Sequence, residues 1–238
     1  MATPTIKTKL ANPGNYGAER PLSSIRYIVM HYTGNDGDSD EANANYFANN
    51  VVKTSAHYFV DDNSITQSVP DNRIAWHCGA KTYYHANARN SNSIGVELCD
   101  NKRDGQIQPS QATIDRALEL VRWLMKCYSV PPENVIRHWD VSHKLCPAFW
   151  CGTAAKDQLW RDQFWAKLVI KEEKEVTPVA ERRYQSLVEI EKEAAWAKDT
   201  VEKLIQRNIL QGDGTGLDLS RDMLRLLVIN DRAGAYDK

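Results

Sequence analysis

Short apolar runs rich in β-branched and aromatic residues mark the predicted strands in the first two thirds of the chain. Residues 25–30 (Ile-Arg-Tyr-Ile-Val-Met) predict a buried strand that leads into His31, so this histidine is expected at a strand end. A further strand is predicted at residues 93–98. Residues 56–60 and 65–69 predict the two arms of a hairpin, because the turn-forming sequence Asp-Asp-Asn-Ser lies between them.

The clearest helical pattern begins after Ser110. From there to Tyr128, apolar residues recur at the i, i+3, i+4 and i+7 spacing of one helix face, and two prolines follow shortly afterwards. Two further helices are predicted, from Asp38 or Ser39 to about Asn49 and from Gln158 to about Val169. Strands that alternate with helices in this way predict an α/β fold.

A change of composition near residue 170 predicts a boundary between two domains. Residues 170–182 include the run Lys-Glu-Glu-Lys-Glu and contain no aromatic residue, which is typical of an exposed linker. We therefore expect a larger domain at residues 1–169 and a small α-helical domain at residues 183–238. The helices of the small domain are predicted at about residues 191–206 and 220–230.

Composition and charge exclude several classes of protein. Of 238 residues, 42% are hydrophobic and 26% are charged, which is typical of a folded globular chain. Thirty Lys and Arg residues against 31 Asp and Glu residues give a net charge of -1, so no nucleic-acid partner is expected. No run approaches the roughly 20 apolar residues of a membrane helix, and the N-terminal sequence lacks the apolar core of a secretion signal. We therefore expect no membrane span and no export by the ordinary secretory route.

The cysteines favour reduced thiols or a metal ligand over a disulfide framework. There are five of them, an odd number at irregular spacing in a chain too large to need covalent stapling. The expectation for four of them is a small, buried, apolar role: Cys78, Cys99, Cys127 and Cys151.

Imidazole and thiolate side chains within residues 137–147, together with His31, carry the candidate chemistry. Zinc prefers such ligands, and a catalytic zinc has three protein ligands with a fourth position open to water. His31, His138 and Cys146 would form such a set. The alternative is that each is an ordinary core residue with a satisfied hydrogen bond, and spacing alone does not exclude it.

Five motifs in a fixed order add a family resemblance. They are Val-Met-His-Tyr-Thr at 29–33, Ser-Ala-His-Tyr-Phe-Val-Asp at 55–61, Ala-Trp-His at 75–77, Asn-Ser-Ile-Gly-Val-Glu at 92–97, and the segment from His138 to Pro147. Over about residues 20–168 the chain closely resembles the zinc-dependent N-acetylmuramoyl-L-alanine amidases, which share their fold with phage lysozyme-type amidases and peptidoglycan recognition proteins. The resemblance implies a central mixed β-sheet flanked by helices, a Zn²⁺ cofactor bound by His31, His138 and Cys146, and bacterial peptidoglycan as the substrate.

The same resemblance assigns two catalytic residues. Glu97 matches the proton acceptor of the bacillus-phage branch of the family, and Lys144 matches a lysine two residues before the cysteine ligand. In another branch a tyrosine acts instead, at the position that Ala56 occupies in this chain, so the departure favours Glu97. Lys144 would place a fixed cation near a developing oxyanion. The alternatives are a solvated carboxylate at a strand edge for Glu97 and a surface lysine for Lys144.

A substrate groove needs stacking surfaces and hydrogen-bonding groups together. The candidates for such a groove are Tyr32, Thr33, Trp76, His77 and Asn92. Packing in the core is an equal alternative for each of them.

The small C-terminal domain resembles one S-layer-homology repeat at about residues 195–212, the helical module that attaches bacterial proteins to cell-wall polymer. That module usually occurs in threes, and only one copy is present. Binding of a wall polymer, self-association, and packing on the larger domain therefore stay open, because an isolated repeat buries little apolar surface.

Taken together, these expectations describe a zinc amidase that cuts the bond between N-acetylmuramic acid and L-alanine. The absent secretion signal suits a phage or prophage endolysin that stays in the cytoplasm until it is released to the cell wall. One alternative is a cytosolic amidase that recycles soluble muropeptides, although such a substrate needs no anchor. Another is a zinc-free peptidoglycan receptor, although such receptors lack the ligand that Cys146 would supply.

Overall fold

Two units make up the chain, Met1–Lys171 and Glu172–Lys238. The computed structural model describes residues 3–103, 106–169 and 182–237. The predicted linker at residues 170–182 lies outside the described residues except for Arg182, so the predicted domain boundaries stay a prediction.

A mixed β-sheet forms the centre of the first unit. The strands in its described residues are β1 (Lys7–Thr8), β2 (Tyr16–Glu19), β3 (Tyr27–Tyr32), β4 (Tyr58–Val60), β5 (Ile65–Gln67), β6 (Arg73–Ala75), β7 (Ser93–Leu98), β8 (Asn101–Arg103), β9 (Gln106–Gln108) and β10 (Val135–Arg137). The central sheet has the order β1-β5-β4-β7-β3-β10. Strand β4 is antiparallel to β5, whereas β4, β7, β3 and β10 run parallel. Two-stranded ribbons form from β2 with β6 and from β8 with β9.

The register of β3 against β7 decides which side chains meet. His31 pairs with Glu97, and Met30 pairs with Val96. Successive side chains of a strand point to opposite faces of the sheet. His31 and Glu97 therefore share one face, while Met30 and Val96 share the other and join the main hydrophobic core.

Helices flank this sheet, which confirms the predicted α/β class. They are α1 (Asp40–Asn49), α2 (Gln111–Tyr128), α3 (His138–Ser142), α4 (Ala154–Trp160) and α5 (Ala166–Val169), with a π-helical segment (Arg161–Trp165) between the last two. Single 3-10 turns lie at Pro13–Asn15, Leu22–Ser24, Asn90–Asn92 and Pro132–Asn134. Helix α2 covers the apolar face of the sheet through Ile114, Leu118, Val121 and Leu124.

Most predicted elements of the first unit are present. Strand β7 and helix α2 have the predicted bounds, and the hydroxyl of Ser110 caps α2 by accepting a hydrogen bond from the Thr113 amide at 3.0 Å. Strand β3 begins two residues later than predicted and includes His31 as its penultimate residue. The last predicted helix of this unit begins earlier, at Ala154, because the hydroxyl of Thr153 caps it there.

The second unit is a small helical fold with a two-residue ribbon. Its elements are β11 (Arg183–Tyr184), α6 (Leu187–Glu193), a 3-10 turn (Ala195–Ala197), α7 (Lys198–Gln206), β12 (Leu219–Ser220) and α8 (Arg221–Arg232). The prediction of one helix over residues 191–206 is wrong, because the chain leaves the helical conformation at Ala194. The break buries Ala194 and Ala197 together with Ile190, so packing overrides the helical preference of alanine.

Three of the four cysteines expected in apolar surroundings are buried, namely Cys78, Cys99 and Cys151. Cys127 is exposed, which corrects the expectation. It lies near the end of α2 and off the apolar face that Val121 and Leu124 define. All these thiols are free.

None of the helices in the described part of the chain is both long and apolar enough to cross a bilayer.

The main core gives a stability prediction. Leu120 on α2 is fully buried, whereas Leu159 on α4 is 43% exposed. Leu120→Ala should lower the free energy of unfolding by about 2–5 kcal/mol, because it leaves a cavity between α2 and the sheet. Leu159→Ala is the matched control and should cost less than about 1 kcal/mol. Denaturant unfolding followed by tryptophan fluorescence measures both, and equal losses would contradict this account of the core.

Candidate metal centre and active site

Two neighbouring parallel strands place the candidate histidine ligands side by side. Strand β10 pairs with β3 so that Arg137 lies opposite Met30. His31 follows Met30 on β3, and His138 follows Arg137 as the first residue of α3. Their ring centroids are 4.8 Å apart. Both imidazoles therefore lie at the edge of the sheet where the carboxyl ends of the two strands meet.

Cys146 completes the cluster from the loop after α3. One ligand atom from each of His31, His138 and Cys146 lies within 4.8 Å of the other two, and all three side chains are buried. The Sγ atom of Cys146 lies 3.7 Å from Nδ1 of His31. Backbone hydrogen bonds hold the loop in place: the Trp139 amide donates to the Cys146 carbonyl at 2.9 Å, and the Cys146 amide donates to the Lys144 carbonyl at 2.7 Å.

His138 shows that the cluster suits a metal ion. Its side chain is 3% exposed, and neither Nδ1 nor Nε2 has a hydrogen-bond partner. Buried polar atoms nearly always have a partner, so an orphaned buried imidazole is unusual. Two imidazoles and a thiol are the ligand types zinc prefers, and three protein ligands leave a fourth position free. The residues present therefore fit the metal that the family resemblance implies.

The protonation states favour metal binding by the histidines. Burial lowers the pKa of His138 to about 4, with a further contribution from Lys144, and lowers the pKa of His31 well below its usual value. Both imidazoles are therefore neutral near pH 7, which is the form that binds a metal. Burial raises the pKa of Cys146 despite the opposing charge of Lys144, so the thiol keeps its proton unless a metal ion displaces it.

Glu97 lies beside the cluster on the same face of the sheet. Its Oε1 is 4.0 Å from Nδ1 of His31, while Oε2 is shielded from solvent without a hydrogen-bond partner. Burial raises the pKa of Glu97 to about 8, although the cation of Lys144 acts in the opposite direction. A carboxyl group whose pKa lies near neutrality is suited to both taking up and returning a proton.

Lys144 is exposed, and its charge reaches the cluster. Its charge lowers the pKa of both Glu97 and His138. The preceding residue, His143, ends α3 in the left-handed conformation with φ +57°. Its ring stacks on that of Tyr84 with centroids 3.6 Å apart, so the turn that carries Lys144 is held by aromatic contacts.

A cavity of about 400 Å³ opens beside Glu97. Its lining combines aromatic, amide and carboxyl side chains: Thr33, Asn35, Asp38, Asn43, Tyr46, Phe47, Phe59 and Glu97. The rings of Phe47 and Phe59 stack with centroids 5.4 Å apart. Phe59 also pairs with Glu97 across β4 and β7. The lining residues from α1 were not predicted from the sequence. Strand alternation would have shown only that Phe59 lies on the face opposite to Tyr58 and Val60.

The predicted substrate-binding residues are distributed over different environments. Thr33 lines the cavity and donates a hydrogen bond to Asp100 at 3.0 Å. Tyr32 is half-buried, and its ring meets Phe149 edge to face. His77 lies behind His31, buried, with its Nδ1 3.0 Å from Nε2 of His31.

Trp76 and Asn92 are not among the residues that line this cavity. The Asn92 side chain accepts a hydrogen bond from the Arg89 amide at 2.8 Å and donates to the Asn87 carbonyl at 2.9 Å, so it organises its own turn. Trp76 has its indole nitrogen against Gly17 of β2. A role in substrate binding stays a prediction for both residues.

Known proteins with sequences similar to this chain are named N-acetylmuramoyl-L-alanine amidases. A family profile described as N-acetylmuramoyl-L-alanine amidase matches residues 21–149. The N-acetylmuramoyl-L-alanine amidase CwlL of Bacillus licheniformis is 36% identical over 145 residues, which are 57% of this chain and 39% of that protein. The chain thus spans less than half the length of this curated relative.

Two solved structures resemble the fold. The catalytic domain of XlyA, a Bacillus subtilis protein, has 28% identity and a TM-score of 0.53, and the match covers 69% of this chain and 96% of that one. The catalytic domain of PlyG has 32% identity and a TM-score of 0.52, with coverage of 69% and 90%. The matched profile covers more than half of the chain and includes His31, Glu97, His138 and Cys146, so the chain belongs to the N-acetylmuramoyl-L-alanine amidase family.

Proposed function

We propose that this chain is a zinc-dependent amidase that cleaves bacterial peptidoglycan between the lactyl carbonyl of N-acetylmuramic acid and L-alanine. The observation that carries the proposal is the buried His138 side chain, whose two nitrogens lack partners beside His31 and Cys146. Family membership and the names of the relatives support the choice of substrate. A lytic role of the endolysin type, with action on the cell wall, belongs to the same proposal.

Three residues would hold the metal: His31, His138 and Cys146. When bound, zinc supplies a water of lowered pKa and polarises the amide carbonyl. Glu97 takes a proton from the attacking water at Oε1, the oxygen that faces His31, and returns it to the leaving amine of L-alanine. The ammonium group of Lys144 stabilises negative charge on the carbonyl oxygen.

The cavity beside Glu97 would bind the part of the substrate next to the scissile amide. Its stacked rings of Phe47 and Phe59 offer an apolar surface, and Asn35 and Asn43 offer amide groups for hydrogen bonds. Sugar and peptide ligands require this combination.

The second unit would attach the enzyme to its insoluble substrate. It exposes large apolar side chains, with Val188 74%, Leu226 59% and Ile229 60% exposed. A wall polymer is the proposed ligand, and self-association of the chain is the competing use of the same unit.

The metal site gives the first functional prediction. The purified protein should contain about one zinc per chain, because the three ligands His31, His138 and Cys146 together bind one ion. Cys146→Ser should lose most of the metal. Cys151→Ser is the matched control, since Cys151 is equally buried but lies outside the cluster. Its thiol donates a hydrogen bond to the Pro147 carbonyl. Metal analysis of the folded proteins measures their zinc content. Full zinc content in the Cys146→Ser variant would refute Cys146 as a ligand.

The reaction and its proton acceptor are tested in one digest of purified peptidoglycan. Mass spectrometry should find a new carboxyl end on the lactyl group and a new amine on L-alanine.

Glu97→Gln should keep zinc but react about 10²- to 10⁴-fold more slowly, the usual contribution of a general base. Glu133→Gln changes an exposed glutamate and should react like the wild type. Uncut peptidoglycan would point to a binding protein, and near wild-type cleavage by the Glu97→Gln variant would remove Glu97 from the mechanism.

Removal of residues 170–238 tests the second unit. Hydrolysis of small soluble muropeptides should be unchanged, whereas lysis of whole walls should fall by about tenfold or more, because a second attachment point is lost. Loss of both activities together with a lower melting temperature would show that the unit stabilises the enzyme instead. A fall in mass by sedimentation would show that it mediates self-association.

A further inference from the structure

His77 occupies a tight place directly behind the candidate ligand His31. The two rings meet edge to face with centroids 5.1 Å apart, and Nδ1 of His77 lies 3.0 Å from Nε2 of His31. The other nitrogen, Nε2, lies 3.1 Å from the hydroxyl of Ser93. Gly95 makes room for the ring, because a Cβ atom there would lie 2.6 Å from Cγ of His77.

The hydroxyl proton of Ser93 fixes the direction of these hydrogen bonds. Oγ of Ser93 lies 2.7 Å from the carbonyl oxygen of Arg89, which is able only to accept. The single hydroxyl proton therefore points to that carbonyl. The thiol of Cys78, 3.8 Å from Oγ, has its own acceptor in Oδ1 of Asn90 at 3.2 Å. Ser93 is thus left to accept a hydrogen bond from Nε2 of His77.

The protons of the two imidazoles follow from this arrangement. A neutral imidazole has one N–H group, and in His77 it is on Nε2. Nδ1 of His77 is then an acceptor, so the proton of His31 lies on Nε2 and is donated to it. Nδ1 of His31 consequently carries a lone pair, and this atom faces Sγ of Cys146 at 3.7 Å.

We propose that His77 is a positioning residue that, together with Ser93, holds His31 in the Nε2–H tautomer with its Nδ1 lone pair directed at the metal position. Metal-binding histidines commonly donate their second nitrogen to a carboxylate or a carbonyl, which orients the ring and raises its basicity. In this chain a second imidazole is the acceptor. The metal part of the inference rests on the proposed function, whereas the tautomer is a property of the metal-free protein.

The first test is nitrogen-15 NMR of the histidines in the full-length, metal-free protein. The wild type should show a protonated Nε2 and an unprotonated Nδ1 for His31. Ser93→Ala removes the acceptor that orients His77, so the His31 signals should shift toward a mixture of both tautomers. A His31 proton on Nδ1 in the wild type, or unchanged His31 signals in the Ser93→Ala variant, would overturn the inference.

The second test compares two variants of nearly equal size. His77→Asn retains an oxygen acceptor near the position of Nδ1, and His77→Leu has none. Zinc affinity, measured by competition with a chelator, should fall about 10- to 100-fold in the leucine variant, the usual effect of removing such a partner. The asparagine variant should bind more tightly than the leucine variant and retain the Nε2–H signal of His31. Equal affinities in the two variants would mean that His77 only fills space.

These tests separate the inference from the proposed function. A wild-type protein that binds no zinc would contradict the metal centre, while the NMR spectra would still decide the tautomer. If His77→Leu fails to fold, the wild-type and Ser93→Ala spectra decide the same question.

Discussion

Parallel pairing of β3 with β7 on one side and β10 on the other is the constraint on which the candidate site depends. Parallel strands end at the same edge of a sheet, and ligand sites of α/β folds collect at that edge. His31 lies on β3, Glu97 lies on β7, and His138 directly follows β10. Displacing one of these strands would break backbone hydrogen bonds of the sheet, so the strands act as a rigid support for the side chains.

The two faces of this sheet meet opposite physical requirements. One face is covered by α2 and contains apolar side chains such as Met30, Val96 and Leu98. The other face buries His31 and His138 to within 2% and 3% exposure. His31 has a hydrogen-bond partner in His77, but the two nitrogens of His138 have none, and burying polar atoms without partners destabilises a fold. The stability of the apolar face offsets this cost, and such local exceptions to good packing are expected at functional sites.

Elements with long or regular patterns were predictable from the sequence. The bounds of β7 and α2 are as predicted because alternation and the helical repeat extend over the whole element. Strand β10 has only three residues, too few for any periodicity to show. Without β10 no pattern places His138 beside His31, so their proximity rested on the family resemblance.

The cavity shows a different limit. Helix α1 contributes Asn43, Tyr46 and Phe47 to it, and a helix with so many polar residues has no clear apolar face from which to infer an orientation. His77 was predicted as a groove residue because a substrate groove needs hydrogen-bonding groups together with stacking surfaces. Its buried place behind His31 depends on the absence of a side chain at Gly95, a contact between distant parts of the chain that no local pattern shows.

The protonation states of the candidate site also bear on the charge of the ion that it would hold. Burial keeps His31 and His138 neutral and favours the protonated forms of Cys146 and Glu97, so the four side chains together are close to electrically neutral. If the thiol and the carboxyl group each release a proton, they supply two negative charges. Exchange of two protons for one divalent cation therefore leaves the net charge of the buried site unchanged. A monovalent or trivalent ion would leave an unbalanced charge in a poorly solvated interior, which is costly. Charge balance among these four side chains would therefore favour a divalent ion, separately from the preference of nitrogen and sulfur ligands for particular metals.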